Sequence, residues 1–150
     1  MSTENEVWKA VKGYEGFYEA GSSGSIRSVD RVIPHGAHGS QRILRGRIIR
    51  HWINCKGYKV VALSKDGVVK NKAVHKLVCD VFHDNPNNYP CVNHKNGIKT
   101  DCAETNLEHA SYSQNNQHAF DTLESADQKT KEMKEKLFTS LQNTLNAVQQ

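Results

Sequence analysis

The sequence predicts an α+β fold: a small N-terminal β-rich module, a strand–strand–helix core and a C-terminal amphipathic helix. Three observations point there. Short runs near residues 10 and 27 alternate apolar and polar residues, as half-buried strands do. From Tyr89 to His118 the signals read strand, loop, strand, helix. Residues 123–148 carry an apolar stripe at helical spacing, with neither glycine nor proline. The expected organisation is a module over 1–50, a core domain over 51–122 and a helix over 123–150.

Val7-Trp8-Lys9-Ala10-Val11 is the first alternating run and Ser25-Ile26-Arg27-Ser28-Val29 the second. Between them Gly13, Gly16, Gly21 and Gly24 mark tight turns, where glycine accepts positive φ. Pro34 to Ser40 reads as a loop. Gly57 to Leu63 predicts a strand, Lys65-Asp66-Gly67 a hairpin turn, and Val68 to Val74 the return strand. In His75 to Phe82 the apolar residues Leu77, Val78, Val81 and Phe82 share one face of a short helix. Asp84-Asn85-Pro86 ends it. His75, at its start, reads as structural rather than catalytic. Tyr89 to Lys95 and Leu107 to Ala110 suit strands, with Asn96-Gly97 a turn. Ser111 followed by Gln114 has capping-box spacing, so a helix should start near Tyr112. Ser125 and Gln128 repeat that spacing before a stripe of Met133, Leu137, Leu141, Leu145 and Val148. That helix packs on its own domain or pairs with a copy of itself; insertion into a DNA groove is the lesser alternative.

No apolar run approaches the roughly 20 residues of a membrane span. The polar N-terminus, beginning Met1-Ser2-Thr3-Glu4, is no secretory signal. Cys55, Cys79, Cys91 and Cys102 lack the close spacing of a zinc knuckle and read as reduced thiols of a cytosolic protein. The net charge of +4 hides an asymmetry. Residues 23–82 hold twelve Lys/Arg against three Asp/Glu, which is +9, whereas residues 83–122 hold two against five, which is −3. A concentrated basic segment suits a polyanion, most commonly nucleic acid. Arg42, Arg45, Arg47 and Arg50, interleaved with Ile43, Leu44, Ile48 and Ile49, either contact phosphates or decorate an exposed strand.

The chemistry concentrates in Cys91-Val92-Asn93-His94-Lys95-Asn96-Gly97, then Asn106-Leu107-Glu108, then Ser113-Gln114-Asn115. A neutral imidazole, with an ordinary pKa of about 6.5, can take a proton from water at neutral pH, and His94 is the candidate. A hard divalent cation prefers oxygen ligands, which the side chains of Asn93 and Asn115 offer. Asn106 can bond across the hairpin and orient the base. His118 lies three residues beyond Asn115 on the same helix face.

Residues 74–119 resemble an HNH endonuclease domain with the ββα-metal (His-Me finger) fold, of the phage and group I intron homing type. The matching stretches are Val74 to Val78 with Phe82, Val92 to Lys99, Asn106 to Glu108, and Ser111 to Asn115 with His118 and Ala119. Val7 to Val11, Gly13 to Glu19 and Gly24 to Ser28 resemble the nuclease-associated DNA-binding module that precedes such domains. The resemblance implies that His94 is the general base, Asn106 the residue orienting it, and Asn93 and Asn115 the metal ligands. His118 would stand near metal or phosphate. The family often has Asp where this chain has Asn93, and Trp where it has His109.

The resulting expectation is a DNA endonuclease dependent on Mg²⁺, Mn²⁺ or another divalent cation. It would nick or fully cut double-stranded DNA, gripped by Arg27, Arg42, Arg45, Arg47, Arg50 and Lys95. The setting would be the cytoplasm, that of the host if the protein is phage-encoded, with no membrane partner. A homodimer through 123–150 is the further expectation. The alternative is a DNA-binding protein with a weak or inactive site and a regulatory or packaging role.

Overall fold

The computed structural model describes residues 6–36 and 39–148. Met1 to Asn5, and Ala37 and His38 of the expected 34–40 loop, lie outside the described residues. The chain divides into two compact units, 1–111 and 112–150.

The first unit opens with an antiparallel meander of β1 (Trp8–Ala10), β2 (Tyr18–Gly21) and β3 (Ile26–Ser28). β1 and β3 are the two alternating runs; β2 lies in the stretch read as turns. A two-stranded ribbon follows, β4 (Arg31–Pro34) paired with β5 (Gln41–Leu44). The second three-stranded sheet is β6 (His51–Ile53), β7 (Lys59–Lys65) and β8 (Val68–Ala73), with β7 central. Asp66 and Gly67 have φ of 53° and 77°, so both centres of the β7–β8 turn are left-handed. That is the geometry whose twist matches a two-residue hairpin, and it suits an Asp-Gly pair.

Helix α1 (Val74–Phe82) follows β8 directly. Its buried residues are Val74, His75, Leu77, Val78 and Cys79, so the buried face is wider than the apolar pattern alone suggests. Val11, Tyr18 and Ile26 from the meander, Val61 and Leu63 from β7, and Cys102 and Leu107 from the later chain join the same core. One core therefore draws on both sides of residue 50. Tyr18 fastens the meander to β7: its hydroxyl donates to the Ser64 carbonyl at 3.1 Å and accepts from the Ser64 N–H at 3.0 Å.

After α1 come β9 (Cys91–His94), a 3-10 turn (Glu104–Asn106) and β10 (Leu107–Ala110). β9 and β10 pair antiparallel with His94 opposite Leu107 and Asn93 opposite Glu108. The loop between them docks on the meander. Glu104 N–H donates to the Ser22 carbonyl at 2.9 Å, and Gly24 packs against Cys102.

The second unit is a single helix, α2 (Tyr112–Val148). The separate element expected to begin near Ser125 is instead a continuation of this helix. Nothing between residues 112 and 148 breaks it, since that stretch has no glycine or proline, and Ser125 sits in the helix interior rather than at a cap. Phe120, Leu123, Met133, Leu137, Phe138 and Leu141 are exposed. The stripe positions Leu145 and Val148 have side chains outside the described residues. All four cysteines are free thiols, and burial pushes Cys79 up to about 12. Among the described residues no helix is long and apolar enough to cross a membrane.

Gly24 adopts φ +90°, and an added Cβ would sit 2.7 Å from the Cys102 carbonyl carbon and oxygen. Gly24→Ala is expected to lose about 1–3 kcal/mol from strain at positive φ alone, with the close approach adding to it. Urea unfolding followed by circular dichroism measures this; an unchanged midpoint would contradict the tight docking of meander on loop.

Candidate active site

The site is built on the β9–β10 hairpin. Consecutive strand residues point to opposite faces. His94 therefore lies on the face that carries core residue Leu107, while Asn93 lies on the face that carries Glu108. Both are only 6% exposed.

His94 is the last residue of its strand, and Asn106 fixes the chain immediately after it. The Asn106 carbonyl accepts from Lys95 N–H at 2.8 Å. Its side-chain oxygen accepts from Asn96 N–H at 3.0 Å. Its Nδ2 donates to Asn96 Oδ1 at 3.0 Å and to the Asp101 carbonyl at 2.9 Å. A buried carboxamide with its donors and acceptor used is rigid. Asn106 thus bonds across the hairpin to the backbone and side chain just after His94.

Two other aromatic rings flank the imidazole. His75 of α1 has its centroid 5.1 Å from that of His94, and Tyr58 lies 5.9 Å from His94 and 4.8 Å from His75. Asn54 sets Tyr58 in place by accepting from the N–H groups of Lys56 and Tyr58, both at 3.0 Å. Burial pushes the His94 pKa below its ordinary 6.5, with Asp101 raising it and Lys99 lowering it to lesser degrees. Burial pushes His75 down to about 4, helped by the charge of His94 and then Lys76. Nδ1 of His75 and Nε2 of His94 are buried without hydrogen-bond partners. A proton on His75 Nδ1 would be a buried donor with no acceptor, which works in the same direction for that ring. Both rings are neutral at pH 7.

Asn93 donates from Nδ2 to Glu108 Oε1 at 2.8 Å. An ionised carboxylate only accepts, so the amide nitrogen must face Glu108 and the carbonyl oxygen occupies the other branch. Among the described residues no group of three or more His, Cys, Asp or Glu is placed to hold a metal. A soft metal of the zinc kind therefore has no cage here. The donors fit a hard cation that takes one or two protein oxygens and completes its shell with water and phosphate, as Mg²⁺ does. Asn115 and His118, half-buried, stand in the first two turns of α2 in the second unit.

The expected basic residues divide into two groups. Arg27 is ion-paired with Glu19 at 2.7 Å and lies over the Trp8 ring at 4.1 Å. Arg45 pairs with Asp30 at 2.6 Å. Arg42, Arg47 and Arg50 are exposed and make no ion pair among the described residues. Lys95 is exposed and donates to the Thr105 carbonyl at 3.2 Å. Sequence reasoning assigned no role to Tyr58 or Glu108. Only the cross-strand register could have singled out Glu108; Tyr58, 36 residues before His94, carries no local signal.

The NUMOD4 motif matches residues 6–64. The DNA endonuclease I-HmuI of Bacillus phage SP01 is 32% identical over 100 residues, which is 67% of this chain and 49% of that protein. An uncharacterized HNH endonuclease of Acanthamoeba polyphaga mimivirus is 31% identical over 112 residues, 75% of this chain and 29% of that protein. This chain thus spans about half of the phage protein and under a third of the viral one. A solved structure described as DNA binding and cleavage by the HNH homing endonuclease I-HmuI superposes with a TM-score of 0.61 at 31% identity. It covers 83% of this chain and 66% of the solved one.

The depressed histidines make stability depend on pH with a definite sign. Between 6.5 and about 4 the unfolded chain protonates His75 and the folded chain does not. Stability is thus full above 6.5 and falls as pH drops toward 4, by up to about 3 kcal/mol for this group. Urea unfolding across that range should show the decline, and His75→Phe should flatten it. A variant with the wild-type slope would remove His75 as the cause.

Proposed function

This chain is a relative of the HNH homing endonucleases, and from that kinship we propose that it is a divalent-metal-dependent DNA endonuclease with His94 as general base. The observation that carries the reading is the buried, neutral imidazole of His94, held at the end of a strand by the Asn106 network. An unprotonated base is what proton abstraction from water requires at neutral pH.

Nε2 of His94 is buried, so Nδ1 is the nitrogen assigned to the water's proton. His75, neutral beside it, adds no positive charge to oppose the imidazolium that forms. Asn106 keeps the base from swinging with the 95–101 loop. Asn93 would help hold Mg²⁺ or Mn²⁺; the resemblance gives Asn115 a ligand role as well and sets His118 near metal or phosphate. When bound, that cation stabilises charge on the phosphate and the leaving oxygen. Arg42, Arg47, Arg50 and Lys95 would contact backbone phosphates, a role that is salt-dependent and indifferent to sequence. Arg27 and Arg45, already paired with carboxylates, would contribute less. The substrate is double-stranded DNA, nicked or cut through, in a cytosolic setting of the phage homing kind.

A second reading has its own observation. Asn93 offers a cation an uncharged oxygen, and no three-residue cluster of charged metal ligands is formed among the described residues. The protein would then bind DNA in a salt-dependent way and cut it under no metal. The exposed apolar residues Met133, Leu137 and Leu141 also favour self-pairing of α2.

Supercoiled plasmid incubated with Mg²⁺ or Mn²⁺ should be nicked by the wild type. His94→Ala should be slower by about 10²-fold or more. Equal cleavage by the two proteins would sink the assignment of the base. The rate should hold as pH falls to 6.5 and decline only below it, because the His94 pKa is depressed. A decline centred above 6.5 would contradict a buried neutral base. In sedimentation, a chain ending at Phe120 should lose dimer mass; unchanged stoichiometry would dismiss self-pairing through α2.

A further inference from the structure

One carboxylate on the hairpin has no part in the base or in its loop network. Glu108 stands directly opposite Asn93 in the antiparallel register, so the two side chains leave the same face. Glu108 is exposed, yet its Oε1 accepts from the buried Asn93 Nδ2 at 2.8 Å. The bond fixes which end of the carboxamide is offered elsewhere. It also polarises the amide, raising electron density at the carbonyl oxygen, and brings a full negative charge next to a ligand that has none. Carboxylates that bond to metal ligands act in this way generally: they fix orientation and raise basicity.

We propose that Glu108 is the positioning carboxylate of a divalent-cation site. It holds Asn93 so that Oδ1 is the atom presented to the cation, and it supplies the charge that an amide lacks. The inference rests on the reading of Asn93 as a cation ligand, and it assigns this chain a two-residue device, amide plus carboxylate, in place of a single acidic ligand.

The test is Mn²⁺ binding to the full chain without DNA, followed by electron paramagnetic resonance of the free ion. Circular dichroism melts without metal check the fold. Glu108→Gln keeps an acceptor for Asn93 but removes the charge; Glu108→Ala removes both. Each should weaken Mn²⁺ binding about ten- to hundredfold, with Glu108→Ala the weaker, while the metal-free melt stays near that of the wild type. Adding Asn93→Asp to Glu108→Gln should restore affinity, since the charge returns to the ligand itself. Wild-type affinity in both Glu108 variants would overturn the proposal, and if Asn93→Ala still abolishes binding, the cation reading of Asn93 survives without it. Loss of melting stability in Glu108→Ala with unchanged affinity would likewise overturn it, as a purely structural contact. A wild-type chain that binds no Mn²⁺ would overturn both readings together.

Discussion

Burial of α1 is the constraint on which the first unit depends. Nine residues long, the helix is too short to be stable alone and persists only through what it packs against. The meander, the β7 strand and the β9–β10 hairpin all press on it. Each fully buried aliphatic side chain contributes on the order of 1.5–3 kcal/mol. Val74, Leu77 and Val78 therefore hold together parts of the chain that could not close a core separately. The N-terminal strands are structural members of the same body as the site, and the Tyr18–Ser64 and Glu104–Ser22 hydrogen bonds make that continuity specific.

The same helix places His75 beside His94, and this explains the electrostatic character of the site. A core position is normally aliphatic; a histidine there is tolerated when neutral, because the charged form would lose its hydration. The neighbouring base inherits that dry environment. Its depressed pKa is thus a by-product of sitting on the core face of the hairpin, where Leu107 is its cross-strand partner. On the opposite face the logic reverses. There the buried Asn93 meets the exposed Glu108. One strand thus carries the proposed base on one face and the proposed cation ligand on the other. Asn106 stops the following loop from blurring the two.

The basic segment contributes on another level. Its charge is spread over exposed strands rather than built into a cavity, which suits recognition of a regular phosphate backbone. Arg27 and Arg45 show that charge on the sequence is not charge available to a ligand: internal carboxylates already occupy them. Helix α2 is exposed along most of its described length.

Much of this was legible locally. Alternating runs marked β1 and β3, the strand-like run 57–63 marked β7, the Asp66-Gly67 pair marked a hairpin with β8 as its return, and the spacing of Leu77, Val78, Val81 and Phe82 marked α1. Asn93, His94 and Asn106 stood out as candidates because their types and order suggest chemistry before any fold is known. Elements are local because φ/ψ preferences and periodicity act over a few residues. The extent of α2 was misjudged for a related reason: cap spacing is suggestive wherever Ser and Gln happen to fall three apart, whereas the absence of glycine and proline governs the whole stretch. What tertiary structure alone decided are the pairings. Tyr58 and His75 flank His94, Asn106 grips the loop just after His94, Ser22 and Gly24 brace residues 102–104, and Glu108 meets Asn93. These partners stand up to 82 residues apart in the chain. Only burial in a common core makes such separations short.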